Sequence, residues 1–135
     1  MKGNDLRTRR KVAALASMVM VASWLIVSAT PASAAGECGA GYRKVGNYKI
    51  GSVGALEVYY NSSNGKNCAI TRASRPSSGY KQAAISVENQ PWADYDEGNF
   101  KYYAGPVYVD ARGKCIDVQG YIGRTYVLKE TVHCD

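Results

Sequence analysis

The sequence predicts an all-β protein: a small antiparallel β-sandwich or barrel with two disulfides, preceded by a signal-peptide helix. Three observations carry the prediction. Beyond residue 35 the chain is a series of short alternating runs rich in Val, Ile and Tyr. Gly and other turn residues separate them about every 8–12 positions, and no segment holds a helical repeat. All 11 tyrosines fall in this part, where the ring suits a half-buried pleated surface. The four cysteines, Cys38, Cys68, Cys115 and Cys134, fall there too. An even count in an exported chain reads as a disulfide framework.

Export is read from the first 35 residues. "MKGNDLRTRRK" is basic, "VAALASMVMVASWLIVSA" is apolar and uncharged, and "TPASAAG" supplies Pro31 and the small-residue site Ala32-Ser33-Ala34. That is the three-part plan of a secretory signal peptide. The apolar run is about long enough to span a bilayer as a retained anchor, but the small-residue site after it favours cleavage. Residues 1–35 are therefore expected to be a signal peptide, and 36–135 a single secreted β domain with no membrane span after cleavage. The whole chain carries +6, but the leader holds five basic side chains and one acid. The remainder has twelve Lys/Arg against ten Asp/Glu, a net of +2, scattered singly. Nucleic acid, which wants clustered positive charge, is not an expected partner.

The runs expected to be strands are 42–50, 54–61, 67–73, 81–88, 99–105, 106–110, 114–120 and 125–132. "NSSNGKN" (61–67) contains Asn64-Gly65, a strong hairpin signal because both residues tolerate positive φ. "DARGK" (110–114) is expected to close the next hairpin. Pro106 cannot donate to a ladder, so it belongs at a strand start or on an edge. "SRPSSG" (74–79) reads as an exposed loop. "NQPWADYDEGN" (89–99) reads as the longest irregular stretch, and long loops often carry function.

The candidate chemistry is thin. The cysteines lack the close pairs of a structural metal site, and the single histidine, His133, abuts Cys134. That is a poor setting for a nucleophilic cysteine, so two staples are expected. Three pairings are open. The favoured one, Cys38–Cys68 with Cys115–Cys134, closes the shorter loops. Each link should contribute about 3 kcal/mol through the unfolded chain. His133 alone supports no triad. Asp94, Asp96 and Glu97 offer the oxygens calcium wants, but the loop spacing fails: Gly98 falls where a ligand should be. Asp110, Asp117 and Glu57 are candidates, by residue type only, for the carboxylate pair a glycosidase needs; Asp110 and Asp117 are read as neighbours on one hairpin, with no cleft marked around them. No enzyme activity, catalytic residue, metal or cofactor is expected. Trp92 and Tyr95, with Phe100, Tyr102 and Tyr103, form an aromatic-rich zone. Buried, it would be core; exposed, Trp92, Tyr95, Tyr102 and Tyr103 would be binding residues for a sugar ring or a partner.

"CGAGY" (38–42), "IGSVGALEVYYNSSNGKNCAIT" (50–71), "YAGPVYVDARGKCIDVQG" (103–120) and the final "HC" (133–134) resemble the spore-associated protein A family of filamentous actinobacteria. The resemblance covers nearly all of the chain after the leader, and the third segment is its most specific part. It implies a small secreted protein, on spores or in the medium, without catalytic residues. It also implies that Cys38, Cys68, Cys115 and Cys134 are half-cystines. The reading is a monomeric, secreted, non-catalytic protein of the spore or cell surface, binding the cell wall, the spore surface or another extracellular protein. The alternative is a secreted inhibitor of extracellular proteases, presenting 74–79 or 89–99 as a rigid loop.

Overall fold

In the computed structural model, which describes residues 36–134, eight strands form two four-stranded sheets. The strands are β1 (Arg43–Ile50), β2 (Gly54–Asn61), β3 (Lys66–Ala73), β4 (Tyr80–Val87), β5 (Asp94–Asn99), β6 (Tyr103–Asp110), β7 (Ile116–Ile122) and β8 (Thr125–Val132). The first sheet runs β1-β2-β3-β6 and the second β5-β4-β7-β8, with every pairing antiparallel. This is the all-β, doubly stapled class that the alternation predicts. The expected signal peptide lies outside the described residues. Among those residues no helix is long and apolar enough to cross a membrane.

Alternation explains the layers. Leu56 and Val58 of β2, Ala69 of β3 and Val107 and Val109 of β6 face Ala83 and Ile85 of β4 and Ile116, Val118 and Ile122 of β7 in one buried cluster. Fully burying a Leu, Ile or Val contributes about 1.5–3 kcal/mol. A smaller cluster lies on the outer side of the first sheet. There Cys38, Cys68 and Ile70 are roofed by Tyr42, Tyr59, Tyr103 and Tyr108. Cys68 and Ile70 are one residue out of phase with Ala69, so they point away from the main core and need this separate cover.

Three sequence expectations fail here. "DARGK" does not close a hairpin. β6 pairs with β3, whereas β7 pairs with β4 and β8, so the turn carries the chain from one sheet to the other. Buried Ala111 anchors it, and its amide donates to Gly65 O. Crossing puts Val107 and Val109 in one layer and Ile116 and Val118 in the opposing one. The second failure is the long loop 89–99, of which Asp94–Asn99 is strand β5. Its acids mask the alternation, because Asp94 and Asp96 occupy the inward positions that apolar residues usually fill. The runs 99–105 and 106–110 are in turn one strand, β6. It bulges at Gly105-Pro106, which together oppose Ile70. β6 is an edge strand, where proline is tolerated. Gly105 has φ +98°, and a Cβ there would lie 2.7 Å from Ala69 O.

Both open seams between the sheets are closed by side chains. At one, Asp94 and Asp96 of β5 accept backbone N–H groups of β6. At the other, the Tyr48 hydroxyl of β1 meets His133 Nε2 at 2.9 Å, and Lys129 of β8 lies over the Tyr48 ring. Covered edges do not recruit foreign strands.

Candidate functional site

The outer face of the first sheet carries the densest charge. Glu57 on β2 is only 8% exposed. Its carboxylate accepts Lys44 Nζ at 2.9 Å, the Tyr59 hydroxyl at 2.8 Å and Arg72 Nε at 3.3 Å. Arg72 also pairs with Glu37 at 3.0 Å and lies over the Tyr103 ring. Strand register builds this group, since Lys44 opposes Tyr59 and Ala55 opposes Arg72. Burial pushes the Glu57 carboxyl up, but the bonds from Lys44 and Tyr59 and the Arg72 charge outweigh it, so its pKa lies below the ordinary value. The same contact with Glu57 raises Lys44. Burial, then the bond to Glu57, raises the Tyr59 phenol. Beside the group is a shallow hollow of about 460 Å³ lined by Asn47, Lys49, Ala55, Glu57, Arg72 and Ser74. Its charges are largely spent on one another.

The outer face of the second sheet is aromatic and amide-rich. Register sets Tyr95, Ala84, Gln119 and Leu128 in one row across four strands, and Glu97, Gln82, Tyr121 and Tyr126 in the next. The Tyr121 and Tyr126 rings stack with centroids 5.0 Å apart, and Tyr80 meets Tyr121 edge-on at 6.4 Å. The Tyr80 hydroxyl donates to Glu97 at 2.8 Å. The sequence reading missed this row. The signal was present in "YIGRTY" (121–126), where a two-residue turn at Gly123-Arg124 sets Tyr121 opposite Tyr126.

The predicted aromatic zone is divided among different surfaces. Phe100 packs on the main core and Tyr103 roofs the Cys38–Cys68 cluster. Tyr95 projects from the outer face of β5 and is 60% exposed. Trp92 precedes β5 and Tyr102 precedes β6, both exposed. Among the described residues no ring contact joins Trp92, Tyr95, Tyr102 and Tyr103 to one another. The four cysteines form Cys38–Cys68 and Cys115–Cys134, leaving no free thiol among them.

The carboxylates weighed from sequence do not gather. Asp110 ends β6, exposed, in one sheet; Asp117 is buried in β7 of the other. They are not neighbours on a hairpin. Asp117 accepts the backbone N–H of Asn89 at 3.0 Å and of Thr131 at 2.9 Å. Strand alternation separates Glu97, facing outward, from Asp94 and Asp96, facing β6, so these acids do not converge on one ion. His133 is half-buried against Tyr48.

No family model and no solved structure matches the chain. It is 39% identical to spore-associated protein A of Streptomyces coelicolor over 132 aligned residues, which take in 90% of this chain and 86% of that protein. An identity and coverage of that size place the chain in a family, and it belongs to the spore-associated protein A family.

Proposed function

We propose that this protein works outside the cell, at the spore or cell surface, as a non-catalytic binding or coat component. The observation that carries the reading is how the polar groups are spent. The half-buried and buried carboxylates of Glu57, Asp94, Asp96 and Asp117 are all held by fixed partners within the fold. Large aromatic side chains, by contrast, stand on the surface of a doubly cross-linked frame. Aromatics on a rigid support favour binding, because little freedom is lost on contact. The name of the curated relative adds the spore as the place. Export rests on the leader read from the sequence.

The test is to follow a tagged full chain through growth and sporulation. The expected result is a leader-free protein, with four oxidised cysteines, in the spore-wall fraction and the medium. Retention inside hyphae with its leader uncut would overturn the reading.

One feature favours protease inhibition as a second reading. The exposed loop 74–79 is pinned at its base: Ser74 N donates to Val53 O, Ser77 N donates to Lys101 O, and Ser77 O accepts buried Lys81 Nζ. Stoichiometric inhibition of one member of a panel of extracellular proteases, lost in Arg75→Ala, would support it. Cleavage at the loop would remove it.

A further inference from the structure

Among the described residues, four of the eight large exposed apolar or aromatic side chains, Tyr80, Tyr95, Tyr126 and Leu128, stand on one surface, the outer face of β5-β4-β7-β8. Tyr121, half-buried between Tyr80 and Tyr126, locks the rings into a continuous band over β4, β7 and β8. We propose that this face is a platform for an uncharged polysaccharide chain. The inference rests on the surface-binding reading above and names its face and its ligand class.

Charge decides the class. Across the two register rows the charged side chain is Glu97, and no Lys or Arg is present. Lys81 and Lys129, on the same strands, are on the other side: Lys81 is buried against Ser77 O and Phe100 O, and Lys129 covers Tyr48. A phosphate-bearing or carboxylate-bearing polymer would meet a carboxylate within these rows, whereas exposed Arg124 lies outside them, in the turn between β7 and β8. A neutral, hydroxyl-rich chain meets groups that suit it. The apolar C–H face of a sugar ring lies on an exposed tyrosine ring, and that contact is dispersive and tolerant of register. The half-buried amide of Gln119 supplies a donor and an acceptor beside the rings. A flat sheet face is suited to an extended polymer, where a small ligand would want an enclosed cavity. Stacking on rings already held by their neighbours costs little ordering.

The experiment measures retention of the purified, disulfide-intact protein on chitin and on cellulose, with and without added salt. The expected result is salt-insensitive retention on at least one of them. Affinity should fall about tenfold or more in Tyr126→Ala and in Tyr95→Ala, two exposed positions at opposite ends of the face, and remain unchanged in Tyr102→Ala. Retention on neither polymer overturns the inference, as does retention abolished by salt. Equal loss in Tyr102→Ala would also overturn it. A concentration-dependent dimer that Tyr126→Ala dissolves would give the face to a second copy and overturn it too. If the protein reaches the spore wall but binds neither polymer, the surface reading stands and this inference fails; if it never leaves the cell, the surface reading itself has failed.

Discussion

Asp96 on β5 accepts the backbone N–H of Gly105 on β6 at 2.7 Å, so a side chain of one sheet completes the unpaired edge of the other. Asp94 does the same for Tyr108 N at 2.9 Å. A carboxylate accepting a backbone N–H makes a charge-assisted bond, stronger than a neutral one. An acid-rich strand is thus part of the structural seam between the layers.

Removing that acceptor should therefore destabilise the fold. Asp96→Ala is expected to lower stability by about 1–3 kcal/mol, because the Gly105 amide loses its acceptor beside the core. Glu97→Ala, on the outward side of the same strand, should change it by less than about 0.5 kcal/mol. Urea unfolding of the two variants checks the contrast, and equal effects would contradict the seam.

Asp117 behaves as a structural acceptor. Its two oxygens hold Asn89 N and Thr131 N, and both of those residues have positive φ. Asp117→Ala is expected to cost about 1–3 kcal/mol and to raise amide exchange at Asn89 and Thr131. Exchange rates left unchanged at both amides would show that Asp117 does not hold them.

Glu57 sets an acid limit on stability. Its folded pKa lies below the unfolded value, so the unfolded chain takes up the proton first as pH falls. The contribution is fully present above the ordinary carboxylate range and drains away as pH drops through that range toward the folded value. Glu57→Gln should flatten stability against pH in that window and leave the slope near neutrality alone. Denaturation midpoints across the acid range measure it, and parallel curves for the two proteins would contradict it.

The disulfides should part in a set order. Cys38 and Cys68 are buried, whereas Cys134 is exposed, and thiol exchange requires access to sulfur. Mild reductant is expected to open Cys115–Cys134 first, loosening the end of β8 while the sheets persist. The Cys38→Ala/Cys68→Ala double variant, which removes a link of sequence separation 30, should lose about 3–4 kcal/mol. Thiol trapping with mass spectrometry reads the order, and simultaneous opening of both would refute it.

Alternation of Val, Ile and Tyr, turn glycines and four cysteines were enough to determine an all-β, doubly stapled domain and most strand limits, because side-chain period and turn chemistry are local properties. Tertiary structure alone decided which strands became neighbours. The crossing at 110–114 placed β6 beside β3. The seam turned Asp94 and Asp96 inward and made a strand of what read as a loop. It also dispersed Trp92, Tyr95, Phe100, Tyr102 and Tyr103 over different surfaces, while Tyr80, distant in sequence from Tyr121 and Tyr126, came to share their face. Such pairings depend on which buried faces and unmet backbone groups satisfy one another across the whole chain, and residues far apart in sequence carry no local record of that choice.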